Sequence, residues 1–112
     1  MRQGDIHWVE LPPPDGREQA WRRPGVILQA DNATAQLPTV LVVPLTGQTA
    51  TLRFPATLLI QPDAQNGLSV PSVALVFQTR VVDKRFVKER IGDLSPTLFT
   101  QLLHELDNLL GR

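Results

Sequence analysis

Apolar and polar residues alternate over residues 4–11, Gly-Asp-Ile-His-Trp-Val-Glu-Leu, which predicts a strand with Ile6, Trp8 and Glu10 on one face. Pro12, Pro13 and Pro14 end it, because proline lacks a backbone donor and favours extended chain. Residues 15–23 are therefore expected to form a charged, polar surface loop. The apolar run 25–29 predicts a second strand that ends near Ala30, before the turn-prone residues Asp31, Asn32, Ala33 and Thr34. Residues 39–46, Thr-Val-Leu-Val-Val-Pro-Leu-Thr, are β-branched and almost continuously apolar, the pattern of a strand covered on both faces.

Residues 51–54 and 57–60 read as short strands separated by Pro55, and the polar stretch 61–67 closes on an Asn66-Gly67 turn signal. Pro71 precedes a longer strand pattern over 72–82, whose polar residues past the middle predict a bend or bulge near Gln78. The carboxyl end changes period. Ser95 before Pro96 is a helix start, and Leu98, Phe99, Leu102, Leu103, Leu106, Leu109 and Leu110 follow helical spacing until Gly111. The pattern predicts a small, mainly β domain over residues 1–112, a partly closed barrel with a C-terminal helix.

Composition narrows the chemistry. With 112 residues the chain has the size of one compact domain, and with no cysteine it has no disulfide, thiolate nucleophile or thiolate metal site. Apolar runs such as 40–43 fall far short of the roughly 18 residues of a membrane span. The polar start of the chain, with Asp5 at once, leads us to expect a cytoplasmic protein. Eleven basic residues balance 11 acidic ones, which argues against a protein that coats nucleic acid non-specifically. A local basic site survives this: residues 79–92 hold Arg80, Lys84, Arg85, Lys88 and Arg90 against Asp83 and Glu89.

His7 and His104 are the only histidines, so an acid-base pair requires the fold to join the first strand to the last helix. Metal-ligand spacing, the nucleophile elbow and the phosphate-binding glycine loops are all absent from the sequence. What stands out is the segment 16–24, Gly-Arg-Glu-Gln-Ala-Trp-Arg-Arg-Pro. Arg17, Arg22 and Arg23 offer forked donors to phosphate oxygens, and Trp21 a flat face for a base. The plainer reading is a solvated loop with Trp21 laid on the barrel.

Gly4-Asp5-Ile6-His7-Trp8-Val9, Gly16-Arg17-Glu18-Gln19, Arg22-Arg23-Pro24 and Val42-Val43-Pro44-Leu45-Thr46 together resemble the MazF/PemK family of toxin endoribonucleases. Ser72-Val73-Ala74-Leu75, Gln78-Thr79-Arg80, Val82-Asp83-Lys84 and Ile91-Gly92-Asp93-Leu94-Ser95-Pro96 continue the likeness in the same order along nearly the whole chain. The resemblance implies an SH3-like or CcdB-like barrel that forms a homodimer, cuts single-stranded RNA at short sequences without a metal or other cofactor, and is neutralised by a cognate antitoxin. It implies attack by a ribose 2′-hydroxyl on the adjacent phosphate, with Arg23 and Thr46 as the catalytic residues. Arg17, Glu18, Gln19, Trp21, Arg22, Gln78 and Arg80 become the expected RNA-binding set. Two positions depart from the family's pattern, Trp21 where a small residue is common and Phe77 where an acidic one is. The alternatives are a gyrase inhibitor on the same barrel, which relies on a tryptophan near the chain end that this sequence lacks, and a degenerate module that only binds RNA or antitoxin.

Overall fold

The computed structural model describes residues 1–11 and 21–112. In chain order its elements are β1 (Asp5–Leu11), β2 (Trp21–Ile27), α1 (Asp31–Gln36), β3 (Thr39–Thr46), β4 (Thr57–Ile60), β5 (Ser72–Leu75), β6 (Arg80–Asp83), β7 (Val87–Asp93) and α2 (Pro96–Leu110). The strands form one antiparallel sheet in the order β4-β5-β3-β2-β1-β7, with β6 also paired to β3. The sheet curls without closing, since no ladder joins β6 to β7 among the described residues.

β3 is the centre of this arrangement. One edge pairs with β2, Gly25 opposite Pro44 and Ile27 opposite Val42. The other edge changes partner along its length, from β6, with Val42 opposite Arg80, to β5, with Leu45 opposite Ala74. Leu28 donates its N–H to the Leu41 carbonyl at 2.9 Å, so the odd-numbered N–H groups of β3 point toward β2 and the even-numbered ones away. The N–H that Pro44 lacks would lie on the outer edge, between the last β6 pair and the first β5 pair. A proline is tolerated in the middle of the sheet because the ladder is interrupted there anyway. β5 and β6 are two halves of one strand path along β3, separated by the 3-10 turn Val76–Gln78, and their registers differ by the 3 residues of that turn. This is the bulge expected near Gln78.

The curled sheet has a core on each face. On one face Val9, Leu11, Ile27, Val40, Val42 and Val82 pack together, with Phe86 and Val87 against them. On the other, Ile6, Val26, Val43, Leu45, Ile60 and Ala74 meet α2 through the fully buried Leu102. The predicted helix ends hold. The Ser95 hydroxyl accepts from the Leu98 N–H at 3.2 Å, Pro96 occupies the first turn, and Gly111 takes the left-handed conformation at φ 76° that L side chains resist. Leu103, Leu109 and Leu110 lie off the buried stripe and stay exposed.

Three local expectations change, and one strand was not foreseen. Trp21, Arg22 and Arg23 belong to β2 and not to a loop, because they pair with Leu11, Glu10 and Val9 of β1. The second strand ends at Ile27, and the turn-prone residues after it start a short helix, in which the Thr34 hydroxyl bonds the Ala30 carbonyl at 3.1 Å. The 51–54 segment is part of a 3-10 turn, Thr49–Arg53, held by the Thr51 hydroxyl on the Gln48 carbonyl at 2.7 Å. β7 carries too many charges to read as a strand, and it forms because β1 offers it a ladder. Among the described residues, no helix is long and apolar enough to cross a membrane.

Leu102 is the side chain on which α2 depends. We expect Leu102→Ala to cost about 2–5 kcal/mol, read as a lowered urea midpoint with the far-ultraviolet spectrum of the folded protein retained.

Candidate nucleic-acid interface

Alternation along β2 separates residues that are adjacent in sequence. Arg23 lies opposite Val9 and Arg22 opposite Glu10 on β1, so their side chains leave the sheet on opposite faces. The β2–β3 ladder ends at Gly25 opposite Pro44, and Arg23 and Thr46 each lie two residues beyond that last pair, at the same end of the two strands.

Arg23, Leu11, Pro44, Gln78, Arg80 and Val81 line one cleft of about 420 Å3. Pro44 and the buried Leu11 give it an apolar floor. Half-buried Arg23 reaches it from β2, and exposed Arg80 from β6 on the far side of β3. Gln78 is carried there by the 3-10 turn that separates β5 from β6. Two guanidinium groups and an amide thus converge over a hydrocarbon floor. Such a site presents several N–H donors to an anion and partly excludes the water that would compete for them. Among the described residues, no group of three or more His, Cys, Asp and Glu side chains that could hold a metal ion is present.

Thr46 lies two residues after Pro44, at the end of β3, and belongs to the lining of a second cleft. Its Oγ1 accepts from the Gln48 N–H at 3.2 Å, which fixes the hydroxyl and leaves its own proton to donate. The residue lines the neighbouring cleft of about 210 Å3, with Trp8, Pro24, Leu45, Leu68 and Ile91 among its walls.

Arg22 does not join the arginine pair. Its guanidinium pairs with Glu89 of β7 and lies 5.0 Å from the centre of the Trp8 ring. That hydrogen bond holds the Glu89 carboxyl below its ordinary pKa. Trp21 has its backbone opposite Leu11, while Arg17, Glu18 and Gln19 lie outside the described residues. The fold keeps the two histidines apart. His7 is buried, with Nδ1 donating to the Lys88 carbonyl at 2.8 Å and Nε2 3.7 Å from Asp5, and His104 lines a groove between α2 and β4. Sequence reasoning missed Leu11, Pro44 and Val81 as cleft residues, because only the strand register brings them beside Arg23.

The sequence matches the family of PemK-like, MazF-like toxins of type II toxin-antitoxin systems over residues 2–110. It is 34% identical over 111 residues to Endoribonuclease MazF of Staphylococcus saprophyticus subsp. saprophyticus, a match that covers 99% of this chain and 92% of the relative. The fold superimposes on the crystal structure of MazF from Deinococcus radiodurans with a TM-score of 0.80 and 23% identity, covering 100% of this chain and 97% of that one. An endoribonuclease in complex with its cognate antitoxin from Mycobacterial species superimposes with a TM-score of 0.78 at 18% identity, covering 99% and 95% of the two chains. At these identities the structural likeness speaks to the fold.

The Arg22 pair predicts a pH response. A carboxyl whose pKa is lowered by folding contributes stability above its unfolded pKa and loses it as pH falls through the folded value. We expect the Glu89 carboxyl, followed by carbon-detected NMR, to titrate below the ordinary glutamate range and to move back up in Arg22→Ala. An unmoved midpoint in that variant contradicts the assigned partner.

Proposed function

Because the chain belongs to the PemK-like, MazF-like family of toxins of type II toxin-antitoxin systems, we infer that it is an endoribonuclease toxin that cuts single-stranded RNA at the cleft between β2, β3 and β6. The observation that carries the reading is the convergence of Arg23 and Arg80 from opposite sides of β3 onto one cleft. RNA cleavage by its own 2′-hydroxyl needs little covalent help from a protein. The 2′-oxygen attacks the adjacent phosphorus, the bond from phosphorus to the 5′-oxygen breaks, and a 2′,3′-cyclic phosphate and a 5′-hydroxyl remain. Negative charge builds on the phosphoryl oxygens along this path, so fixed donors aimed at those oxygens supply the main catalytic effect.

Arg23 is the residue assigned to that charge. A guanidinium stays protonated and offers two parallel N–H donors to phosphate oxygens. Thr46, at the end of β3, donates its hydroxyl proton to a phosphoryl oxygen while the Gln48 N–H holds the hydroxyl in place. Gln78 and Arg80 bind the flanking nucleotides. Arg17, Glu18 and Gln19, from the segment that joins β1 to β2, and Trp21, the first residue of β2, are assigned to the same RNA-binding set. Arg22 is assigned a different task, because strand alternation sends it to the face opposite Arg23, where it meets Glu89 and Trp8.

The partner is a protein antitoxin. An extended acidic segment laid over Arg23 and Arg80 neutralises the toxin by occupying the groove that RNA needs. Residues 1–112 serve as one working domain, and the active unit is a homodimer in the cytoplasm, a reducing compartment that suits a chain without cysteine.

The test is direct. In chelator, with a long single-stranded RNA, the protein should leave discrete cuts with 5′-hydroxyl ends. Arg23→Ala should lower the rate roughly 10²–10³-fold or more, as expected when a preorganised donor to a developing oxyanion is lost. Thr46→Val should lower kcat by a smaller factor with an unchanged melting temperature. A folded Arg23→Ala variant that cuts at the parental rate overturns the assignment.

A further inference from the structure

The cleft beside Trp8 remains without a role. It differs from its neighbour in character, since Pro24, Leu45, Leu68, Val70 and Ile91 wall it and the Trp8 indole forms one side. Few polar groups enter. Ser72 is buried with its hydroxyl donating to the Val70 carbonyl at 3.0 Å, and Ser69 is exposed at the rim. The Trp8 side chain itself is half-buried.

The cleft is built rigidly. Its outer wall is the segment before β5, which Asn66 pins. That side chain is almost wholly buried, accepts from the N–H groups of Asp63 and Leu68 at 3.1 and 2.9 Å, and donates to the Gln61 carbonyl at 2.9 Å. Gly67 has φ +67°, and a Cβ there would stand 2.3 Å from the Ile91 carbonyl oxygen. A Cβ on Gly92 would stand 2.4 Å from the Gln65 carbonyl oxygen. Backbone meets backbone at both glycines, so the wall cannot fold inward to fill the space. Arg22 lies over the Trp8 ring and is tied to Glu89, which holds the indole in place.

Two residues connect this cleft to the cleavage site. Thr46 lines it, and Pro24, another wall, follows Arg23 directly. A preformed, largely apolar slot with a flat aromatic side and one or two edge donors suits a planar heterocycle. We propose that this cleft is a nucleobase subsite, which takes the base next to the phosphate held by Arg23 and Thr46, with Trp8 as the specificity-determining residue and Arg22 as a positioning residue that acts through it. The ring seats the base between its π face and the Pro24 and Leu68 walls, and the Trp8 N–H donates to an acceptor on the base edge. The proposal rests on the endoribonuclease reading above.

Trp8→Leu keeps the wall apolar while removing the flat face and the N–H. Mapping all cuts in a long RNA should show the base preference at one position beside the cut falling roughly tenfold or more, the scale of a lost stacking and hydrogen-bonded contact. Other positions and the melting temperature should hold. Arg22→Gln should blur the same position to a lesser degree. If the parent cuts RNA and Trp8→Leu leaves every position of its preference unchanged, the subsite is wrong while the endoribonuclease reading stands. If Trp8→Leu cuts as the parent does but resists its antitoxin, the cleft belongs to the antitoxin and the proposal also falls.

A second measurement does not need cleavage. The two tryptophans give two indole N–H signals in proton-nitrogen NMR, and loss of one in Trp8→Leu assigns it. Uncleavable 2′-deoxy oligonucleotides should shift the Trp8 signal, and abasic oligonucleotides of the same length should not. Equal shifts with both probes show that the backbone and not a base is bound there, which overturns the proposal even if no RNA is ever cut.

Discussion

Everything in this molecule is arranged around a strand hydrogen-bonded on both edges whose outer edge must change partner partway along. β3 meets that demand with Pro44, the one residue that has no N–H to leave unpaired at the exchange from β6 to β5. The cost of a break in a buried ladder is an orphaned donor. Here the donor is missing from the covalent structure. The same residue then supplies the floor of the cleft, with its ring between Arg23 on one neighbouring strand and Arg80 on the other. A backbone constraint and a binding surface are therefore met by one side chain.

On the proposed reading, the clefts on the two sides of β2 divide the labour of recognising a nucleic acid in a way its chemistry suggests. A phosphate needs charge and donors, and it finds them where the strand alternation sends Arg23. A base needs a dry, flat surface, and the next residue along the strand, Pro24, faces one. Neighbours in sequence would thus address different parts of the same nucleotide chain. The Arg22 ion pair is exposed and contributes little to the stability of the fold. Its value lies in holding an aromatic ring still.

Much of the scaffold is written locally. β3, β4 and α2 follow from β-branched runs, a serine cap before proline and leucines at helical spacing, because each of those signals acts within its own segment. Trp21 to Arg23 and all of β7 are not legible in that way. Their composition suits a solvated loop or turn, and only the ladders offered by β1 turn them into strands. The site has the same split. The Arg-Pro dipeptide and the threonine that closes β3 stand out in the sequence and draw the family resemblance. That Arg22 and Arg23 do different things is a matter of strand parity, and that Arg80 joins Arg23 is a matter of a pairing across β3. Neither can be read before the register is known.

Parity also gives meaning to the length of the turn Val76–Gln78. Even-numbered Ala74 of β5 faces the helix-side core, whereas even-numbered Val82 of β6 faces the core on the opposite side. An insertion of odd length is what reverses the sense of the strand between the two. The turn works as a counter. Lengthening or shortening it by one residue would turn Val81 inward and carry Arg80 away from Arg23, although every residue of the cleft would still be present; a change of two would restore the facing. The electrostatics of the site are set by whether a small number of residues is odd or even.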